Sequence, residues 1–328
     1  MMRKGLMAAI LLAGSGGAAQ AAPVSSEIEA AGPLAPLHGT LLLPEGASAQ
    51  TPVVLIIPGS GPTDRDGNSP LGINANIYKL LAEALAEKGV ASVRIDKRGM
   101  FGSKAAVADA NKVTIADYVT DTHSWAAAVK AKTGAKCIWI AGHSEGGLVG
   151  MAAAQGSDSG TVAPADICGV AAISAPGRKL GDVIRAQLAA AKNVELLEQA
   201  DEVIGKLESG FTVDASKLAA PLQGLFADAV QPYLIDLLAQ DTAKLAAGMK
   251  GRLAIIQGLT DIQTGESDAR LLAKAQPRAK LMLLPDVNHV LKHFAGDDRR
   301  ANFATYAQPE LPVDASVVDA VAGFVKGD

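Results

Sequence analysis

The sequence predicts an α/β fold, in which a mostly parallel central sheet is flanked by helices and carries a helical insertion. Apolar runs of strand length alternate with amphipathic segments of helical period, which is the pattern of βαβ units. Residues 53–57 are five consecutive aliphatic residues, as expected of a strand that is buried on both faces. Between residues 177 and 250, helical patterns follow one another with no strand pattern between them, which predicts the insertion.

The elements follow in chain order after a Pro/Ala/Ser-rich lead-in at residues 22–37. The predicted strands are 39–44, 53–57, 90–96, 137–142, 167–174, 252–258 and 280–285. The predicted helices are 77–88, 114–130, 148–154, 186–207, 233–245, 266–275 and 315–326. The predicted core therefore comprises residues 38–176 and 251–328, and the helical insertion at 177–250 is a candidate lid over an active site.

Residues 1–21 have the pattern of a secretory signal peptide. Arg3 and Lys4 precede a short apolar stretch that ends in the small-residue sequence A-Q-A at 19–21. This stretch is shorter than the roughly 20 apolar residues that a transmembrane helix needs, and no later segment is uniformly apolar over about 18 residues. The sequence predicts a protein exported to the periplasm or beyond, with cleavage near Ala21. An uncleaved N-terminal anchor is the alternative.

Composition and charge exclude several functional classes. Of the 328 residues, 49% are hydrophobic and 20% charged, which is typical of a globular protein. The formal net charge is −4, and loss of the two leader cations would take it to −6. This balance gives no reason to expect a nucleic acid or an anionic membrane as partner. No His, Cys and carboxylate cluster has metal-ligand spacing, so neither a metal nor a cofactor is predicted. The oligomeric state is not determined.

The two cysteines, Cys137 and Cys168, lie near the starts of two strands that are predicted to be neighbours. An exported protein folds in an oxidising compartment, so a disulfide between them is one interpretation. Two buried thiols that act as small apolar side chains are the other. The sequence leaves both open.

A G-x-S-x-G pattern, Gly142-His143-Ser144-Glu145-Gly146, lies between a predicted strand and a predicted helix. In this context the pattern predicts a nucleophile elbow, a strained turn that presents the Ser144 hydroxyl at the edge of the sheet. Gly142 and Gly146 are expected because side chains there would collide with neighbouring elements. The helix N-terminus would favour a developing oxyanion. A glycine-rich turn with an idle serine is the alternative.

A serine nucleophile requires a base and a carboxylate that orients the base. Asp261 follows the strand 252–258, and His289 follows the strand that begins at residue 280. Both lie in loops at the carboxyl ends of strands, where open parallel sheets bind ligands. The sequence therefore predicts a triad of Ser144, Asp261 and His289, in the order serine, acid, histidine.

Other acids and histidines fit these roles less well. Asp268 falls within a predicted helix, and Asp286 is too close in sequence to His289 to be its obvious partner. His293 is the main rival base, and a solvent-facing role is its alternative. The remaining histidines lie before the first strand, in a helix, and beside the serine with a side chain expected to point away from it: His38, His123 and His143.

The tetrahedral intermediate requires backbone N–H donors, one after the nucleophile and one in the loop that follows strand 53–57. These donors are predicted to be Glu145 and Ser60. Gly59 and Gly61 flank Ser60 and let the backbone approach a substrate oxygen. A simple turn is the alternative for this loop.

With these residues in place, the chain resembles the serine hydrolases of the α/β-hydrolase superfamily from about residue 38 to its C-terminus. The segments that carry the resemblance are 58–68, 95–103, 142–147, 258–261 and 288–289. Segment 95–103, I-D-K-R-G-M-F-G-S, is similar to the family pattern D-x-R-G-x-G-x-S, with one extra residue between the glycines. The resemblance implies that Asp96 and Arg98 hold the active-site loops, with Asp64 or Asp66 as candidate partners. Segment 58–68 resembles a bacterial subgroup described as esterase-like or peptidase-like.

The triad and the resemblance together predict a serine hydrolase that cleaves carboxylic esters through an acyl-serine intermediate. A small-molecule ester is the expected partner. Short or medium acyl chains are predicted because the lid sequence offers no large aromatic surface. A serine peptidase, with Glu145 or a lid acid holding a substrate amine, and an acyltransferase remain as alternatives with the same triad. A non-enzymatic binding protein is disfavoured because no triad member is missing.

Overall fold

The computed structural model describes residues 22–155, 164–190 and 194–327, so the predicted signal peptide at 1–21 lies outside the described residues. The strands are β1 (Val24–Ala30), β2 (Leu37–Leu43), β3 (Val53–Ile57), β4 (Asn68–Ser69), β5 (Ile73–Asn74), β6 (Ala91–Ile95), β7 (Ile138–His143), β8 (Ile167–Ile173), β9 (Arg252–Gly258) and β10 (Lys280–Leu284). The helices are α1 (Ile77–Glu87), α2 (Ile115–Thr133), α3 (Glu145–Ala153), α4 (Leu180–Ala189), α5 (Val194–Glu208), α6 (Ala220–Leu225), α7 (Gln231–Leu238), α8 (Thr242–Gly248), α9 (Glu266–Ala275), α10 (Arg299–Ala304) and α11 (Ala315–Lys326).

Eight of these strands form one sheet, in the order β1-β2-β6-β3-β7-β8-β9-β10. Strands β1 and β2 pair antiparallel, and β2 is antiparallel to β6. All pairs from β6 to β10 are parallel. Strands β4 and β5 form a separate two-stranded hairpin. The predicted fold class, a mostly parallel sheet flanked by helices, is confirmed.

The sheet is covered on both faces, as its apolar strands require. Every residue of β3 is buried, and its alternate side chains enter two different cores. Leu55 packs in the core that contains residues of α2, α3 and α9, whereas Val54 packs with residues of α1 and α11. This double burial explains why the strand sequence is continuously apolar, without the alternation of a half-exposed strand.

The N-terminal lead-in contains a strand that the sequence did not predict. β1 pairs with β2 along its whole length, from Val24 opposite Leu43 to Ala30 opposite Leu37. Only its last apolar positions are buried, because β1 is the edge strand of the sheet. So few buried positions leave too short an alternation to identify a strand from the sequence.

Residues 177–250, the predicted insertion, contain α4 to α8 between β8 and β9, and the residues described there, 177–190 and 194–250, include no strand. The segment predicted as one helix, 186–207, contains the end of α4 and most of α5. These helices have a small core of their own: Ala200, Val203, Ile204, Leu207, Leu222, Phe226, Leu234 and Leu238. Ala246 of α8 and Met249 pack instead in the main core. The insertion is therefore anchored to the sheet domain at its C-terminal end.

The structure joins Cys137 and Cys168 in a disulfide, with their Cα atoms 5.4 Å apart. Cys137 immediately precedes β7, and Cys168 is the second residue of β8. The two strands are neighbours, and Cys168 is the extra residue of a register shift opposite the start of β7, which brings it within disulfide distance of Cys137. Across the described parts of the chain, no helix combines the length and the apolar character needed to cross a membrane.

Candidate active site

Ser144 occupies a strained turn between β7 and α3. Its φ of 54° and ψ of −120° lie in a region that non-glycine residues rarely adopt. The Ser144 N–H donates to the carbonyl of Ile173 at the end of β8, over 2.8 Å. A Cβ atom at Gly142 would lie 2.1 Å from the Gly146 carbonyl oxygen, and one at Gly146 would lie 2.2 Å from the Ile57 oxygen. Both glycines are therefore required by the close approach of backbone segments, as the elbow pattern predicts.

Asp261 lies in the loop after β9, where local groups hold its carboxylate in place. Its Oδ1 accepts hydrogen bonds from the amides of Gln263 (2.8 Å) and Thr264 (3.1 Å). Its Oδ2 accepts from the Thr264 hydroxyl (3.1 Å) and from Gln257 Nε2 (3.3 Å). Burial acts to raise the pKa of Asp261, but His289 and these donors outweigh burial and hold the pKa below its usual value. The carboxylate is therefore ionised at neutral pH.

His289 lies in the loop after β10 and is buried. Its Nδ1 is 2.8 Å from Asp261 Oδ2. Since an ionised carboxylate only accepts hydrogen bonds, this contact places the proton on Nδ1 and leaves Nε2 free to accept one. The structure thus brings together two residues that lie 28 positions apart in the sequence, in the tautomer that a general base requires.

His143, immediately before the nucleophile, links three parts of the site. Its Nε2 donates to the backbone carbonyl of His289 over 2.8 Å, and its Nδ1 accepts from the Tyr78 hydroxyl over 2.9 Å. The Tyr78 oxygen in turn accepts the N–H of Gly59, over 3.0 Å. Burial, together with the adjacent His289, lowers the pKa of His143 to about 3, so the ring is neutral. Nothing in the sequence marks Tyr78 for this role, because it lies in α1 within an ordinary amphipathic pattern.

The loop after β3 passes against the nucleophile. A Cβ atom at Gly59 would lie 3.2 Å from the Ser144 Cβ, so the backbone of this loop is within reach of an oxygen bound at Ser144. Ser60 is exposed at the same place. Glu145 is the first residue of α3, and amides in the first turn of a helix have no acceptor within the helix. Both predicted oxyanion donors therefore flank the serine.

Lys97 and the Glu145 side chain form a buried ion pair beneath this loop. Lys97 Nζ is 3.4 Å from Glu145 Oε1 and donates to the carbonyl oxygen of Gly59 over 2.7 Å. The Tyr233 hydroxyl, from α7 of the insertion, donates to Glu145 Oε2. Burial raises the pKa of Tyr233 well above its usual value, so the hydroxyl keeps its proton. Neither Lys97 nor Tyr233 carries a sequence pattern that predicts this contact.

Asp96 and Arg98 hold loops near the site, but with other partners than expected. Asp96 accepts from the backbone N–H and the Nε of Arg65, both over 2.9 Å. Arg98 pairs with Asp121 and Asp117 of α2, at 2.6 and 2.7 Å. The expected pairing with Asp64 or Asp66 is therefore wrong. The reason is local: the carboxylates that were expected to pair are used elsewhere, Asp64 by the amides of Asp66 and Asn68, and Asp66 by Arg94.

The rival residues have other roles. Asp268 is buried and accepts from the guanidinium and the backbone N–H of Arg178. His293 is largely exposed, and its Nδ1 is 3.2 Å from Asp314. His123 is buried in α2, and His38 lies 3.5 Å from Glu29 on the edge strands. None of these contacts involves Asp261 or His289. Among the described residues, no group of three His, Cys, Asp or Glu side chains could hold a metal ion.

The fold and the site define the class of protein: it is an α/β-hydrolase of the serine hydrolase type. Residues 71–299 match the family described as serine aminopeptidase, S33. Because this match spans more than half of the chain, the chain belongs to that family. No curated protein matches the sequence.

Several solved structures share the fold. Est1E from Butyrivibrio proteoclasticus is 17% identical, with a TM-score of 0.54 over 90% of this chain and 99% of its own. The esterase Pf2001 of Pyrococcus furiosus is 16% identical, with a TM-score of 0.55 over 93% and 91%. The α/β-hydrolase GrgF from Penicillium sp. sh18 is 16% identical, with a TM-score of 0.58 over 93% and 98%. At these identities the likeness establishes the fold.

Proposed function

We propose that the protein hydrolyses carboxylic esters through an acyl-serine intermediate. The observation that carries the proposal is the 2.8 Å hydrogen bond from His289 Nδ1 to the ionised Asp261, beside the strained turn of Ser144. This arrangement leaves His289 Nε2 as the acceptor for a proton. Family membership supports hydrolysis, and solved neighbours described as esterases, from Pyrococcus furiosus and Thermogutta terrifontis, support an ester substrate.

In the first half of the reaction, Ser144 Oγ attacks the acyl carbon while its proton passes to His289 Nε2. The carbonyl oxygen becomes an oxyanion, which the N–H groups of Ser60 and Glu145 stabilise. Collapse of the intermediate breaks the ester bond, and the alcohol leaves with the proton from His289. Asp261 remains ionised throughout and stabilises the imidazolium.

In the second half, water enters and loses a proton to His289 as it attacks the acyl-serine. The tetrahedral intermediate again places its oxyanion on the two backbone N–H groups. Its collapse returns the proton to Ser144 Oγ and releases the carboxylic acid. One ester and one water molecule thus give one alcohol and one acid, and the enzyme is restored.

A peptidase is the second candidate, because the family is described as a serine aminopeptidase. An aminopeptidase holds the substrate's amine with a carboxylate, for which the sequence offers an acid of the insertion or Glu145. That carboxylate is only 3% exposed, and its two oxygens contact Lys97 and Tyr233. Glu145 is therefore not free to bind a substrate amine, so a peptidase would need an acid of the insertion for that role.

The decisive experiment combines a fluorophosphonate probe with a substrate panel. We expect the wild type to be labelled and Ser144→Ala to remain unlabelled, because the probe reacts only with an activated serine. The panel compares p-nitrophenyl esters with aminoacyl p-nitroanilides. Ester turnover without anilide turnover is expected. Absence of labelling in the folded wild type would remove the proposal, and preferential anilide turnover would replace it with the peptidase.

The same ester series tests the acyl-chain preference. We propose short or medium chains, because the large apolar side chains exposed in the described part of the insertion are few and scattered: Val194, Phe211 and Leu225. Rates along a series from acetate to palmitate should peak before the long chains, whereas a maximum at palmitate contradicts this preference. Addition of a competing alcohol tests acyl transfer, which would appear as a new ester at the expense of the acid.

We also propose that the protein is exported, on the strength of the leader pattern in residues 1–21. Expression of the full chain followed by cell fractionation and N-terminal sequencing tests this. A mature N-terminus just after Ala21 in the exported fraction is expected. An intact leader on membrane-associated protein would instead indicate the uncleaved anchor.

A further inference from the structure

Gly59 is held at both of its backbone polar atoms by buried side chains from elsewhere in the chain. Its N–H donates to the Tyr78 hydroxyl over 3.0 Å, and its carbonyl oxygen accepts from Lys97 Nζ over 2.7 Å. Tyr78 is 1% exposed and Lys97 4%. An ammonium is costly to desolvate, so a lysine that is buried to bind this one carbonyl indicates that the orientation of the Gly59 peptide matters.

The carbonyl that Lys97 binds belongs to the same peptide unit as the N–H of Ser60. In a trans peptide the C=O and N–H bonds point in opposite directions, so fixing the carbonyl of Gly59 fixes the direction of the Ser60 N–H. Within the described part of the chain, this N–H donates to no protein acceptor. This N–H is therefore available to the oxyanion, and its direction depends on the group that binds the carbonyl of Gly59.

We propose that Lys97 is a positioning residue of the oxyanion hole: it aims the Ser60 N–H by holding the other end of the same peptide. This inference rests on the proposed function, in which Ser60 is one of the two oxyanion donors. The ammonium also polarises the peptide, since hydrogen bonds in series strengthen one another. A positive charge behind the donor favours the negative charge that develops on the substrate oxygen.

The same lysine connects the two donors. Its second contact is the Glu145 carboxylate, and Glu145 supplies the other predicted N–H from the first turn of α3. The carboxylate balances the buried ammonium, and Tyr233 of the insertion satisfies its remaining oxygen. The insertion is thereby connected to the oxyanion hole through Tyr233, Glu145 and Lys97.

Kinetics of Lys97→Met test the proposal, because methionine is similar in length but has neither charge nor donor. We expect kcat to fall by about 10- to 100-fold with KM nearly unchanged, less than the roughly 100- to 1,000-fold cost of deleting a donor outright. The affinity of a trifluoromethyl ketone, whose serine adduct carries an oxyanion, should fall by a similar factor. The acidic limb of the kcat/KM profile should stay in place, because His289 and Asp261 are untouched. Lys97→Arg, which keeps the charge and the donors, should recover part of kcat.

A second measurement does not depend on activity. In protein labelled with 15N-serine, the Ser60 amide resonance should move in Lys97→Met, because the carbonyl of its own peptide loses its donor. The matched control is Lys292→Met, which removes another buried lysine that donates to backbone carbonyls, those of Gln308 and Leu311. In this control the Ser60 resonance should stay in place.

The outcomes separate the two proposals. If the wild type is not labelled by a fluorophosphonate, the proposed function fails, and the Ser60 resonance still decides whether Lys97 orients this peptide. A folded Lys97→Met that keeps kcat within about threefold and leaves the Ser60 resonance unmoved overturns the inference. If Lys97→Met does not fold, Lys97→Met/Glu145→Gln replaces it, since that variant also removes the donor to Gly59 but leaves no buried carboxylate without its partner. Wild-type kcat and an unmoved resonance in that variant would also overturn it.

Discussion

The imidazole of His143 donates a hydrogen bond to the backbone carbonyl of His289, with 2.8 Å between Nε2 and the oxygen. The residue beside the nucleophile therefore holds the loop that carries the proposed base, although the two lie 146 positions apart in the chain. Because Nε2 must carry a proton to donate, Nδ1 is the acceptor for the Tyr78 hydroxyl. Neutral His143 thus fixes the relative positions of the turn, the base and the loop of Gly59.

Replacing Asp261 with asparagine should abolish most of the activity without unfolding the protein. An asparagine amide can donate to His289 Nδ1, which would place the ring proton on Nε2 and remove the acceptor for the serine proton. We expect kcat for a short p-nitrophenyl ester to fall by about 10⁴-fold. Asp286→Asn is the matched control, since Asp286 is nearer to His289 in sequence, and it should stay close to wild type. Equal losses in both variants would contradict the assignment of Asp261.

The free energy of unfolding should begin to fall as the pH drops below about 6.5, which is well above the pH at which carboxylates are protonated. The pKa of His143 is about 3 in the folded protein against an ordinary 6.5, so between these values the unfolded chain binds a proton that the folded chain does not. The stability that neutral His143 contributes is therefore fully present above about pH 6.5. It declines by about 1.4 kcal/mol per pH unit as the pH falls towards 3. Burial also lowers the pKa of His123, which adds to the slope in the same direction.

Urea unfolding at a series of pH values measures this slope. His143→Gln removes one titrating group and should make the slope between pH 6.5 and pH 4 shallower. Asp261 does not contribute in this window, because its lowered pKa means that its stabilisation is lost only as pH falls below the ordinary value of 3.8. Identical slopes in wild type and variant would show that His143 is not buried as a neutral ring.

A methyl group at Gly146 should be poorly tolerated. Its Cβ would lie 2.2 Å from the Ile57 carbonyl oxygen, so α3 would have to move away from β3. We expect a loss of about 3 kcal/mol in unfolding free energy, together with loss of activity as the Glu145 N–H shifts. Gly205→Ala is the control, because that Cβ meets nothing within 4 Å in helix α5, and it should gain about 0.5–1 kcal/mol. A stable, active Gly146→Ala enzyme would argue against the tight elbow.

The disulfide should contribute to stability through the unfolded chain. Cys137 and Cys168 are 31 positions apart, and closing a loop of that length corresponds to about 3–4 kcal/mol in the chain-entropy model. In urea unfolding, the double variant Cys137→Ala/Cys168→Ala should have a free energy of unfolding that is lower by that amount. A reducing agent should lower the stability of the wild type but not that of the variant. Thiol titration of the unfolded, non-reduced protein should find no free thiol. Two free thiols would show that the bond does not form.

Sequence periodicity predicted most of the sheet domain because buried parallel strands and the helices that cover them are locally distinctive. The continuous apolar run at 53–57 and the amphipathic segment at 77–88 correspond to β3 and α1. β1 was missed because an edge strand buries too few residues to give a period. The end of α4 at Ala189 was also missed, since the helical pattern of the sequence continues into α5.

The candidate site also contains some features that the sequence predicts and others that it does not. Ser144, Asp261 and His289 could be chosen from the sequence because each follows a recognisable strand, and parallel strands end at a common edge. The expected partners of Asp96 and Arg98 were wrong because which opposite charges meet depends on the path of the loops. No sequence spacing indicates that Arg65 reaches Asp96 while Asp64 is occupied by amides of its own turn.

The sequence by itself determined the fold class, the strained serine turn and the order of the proposed triad, because these depend on local periodicity and on glycines at fixed spacing. Only the tertiary structure decided how that machinery is held. Tyr78, Lys97 and Tyr233 come from helix α1, the loop after β6 and the insertion, and each contacts the site through one polar atom. Such contacts leave no local pattern, since they depend on the three-dimensional path of segments that are distant along the chain.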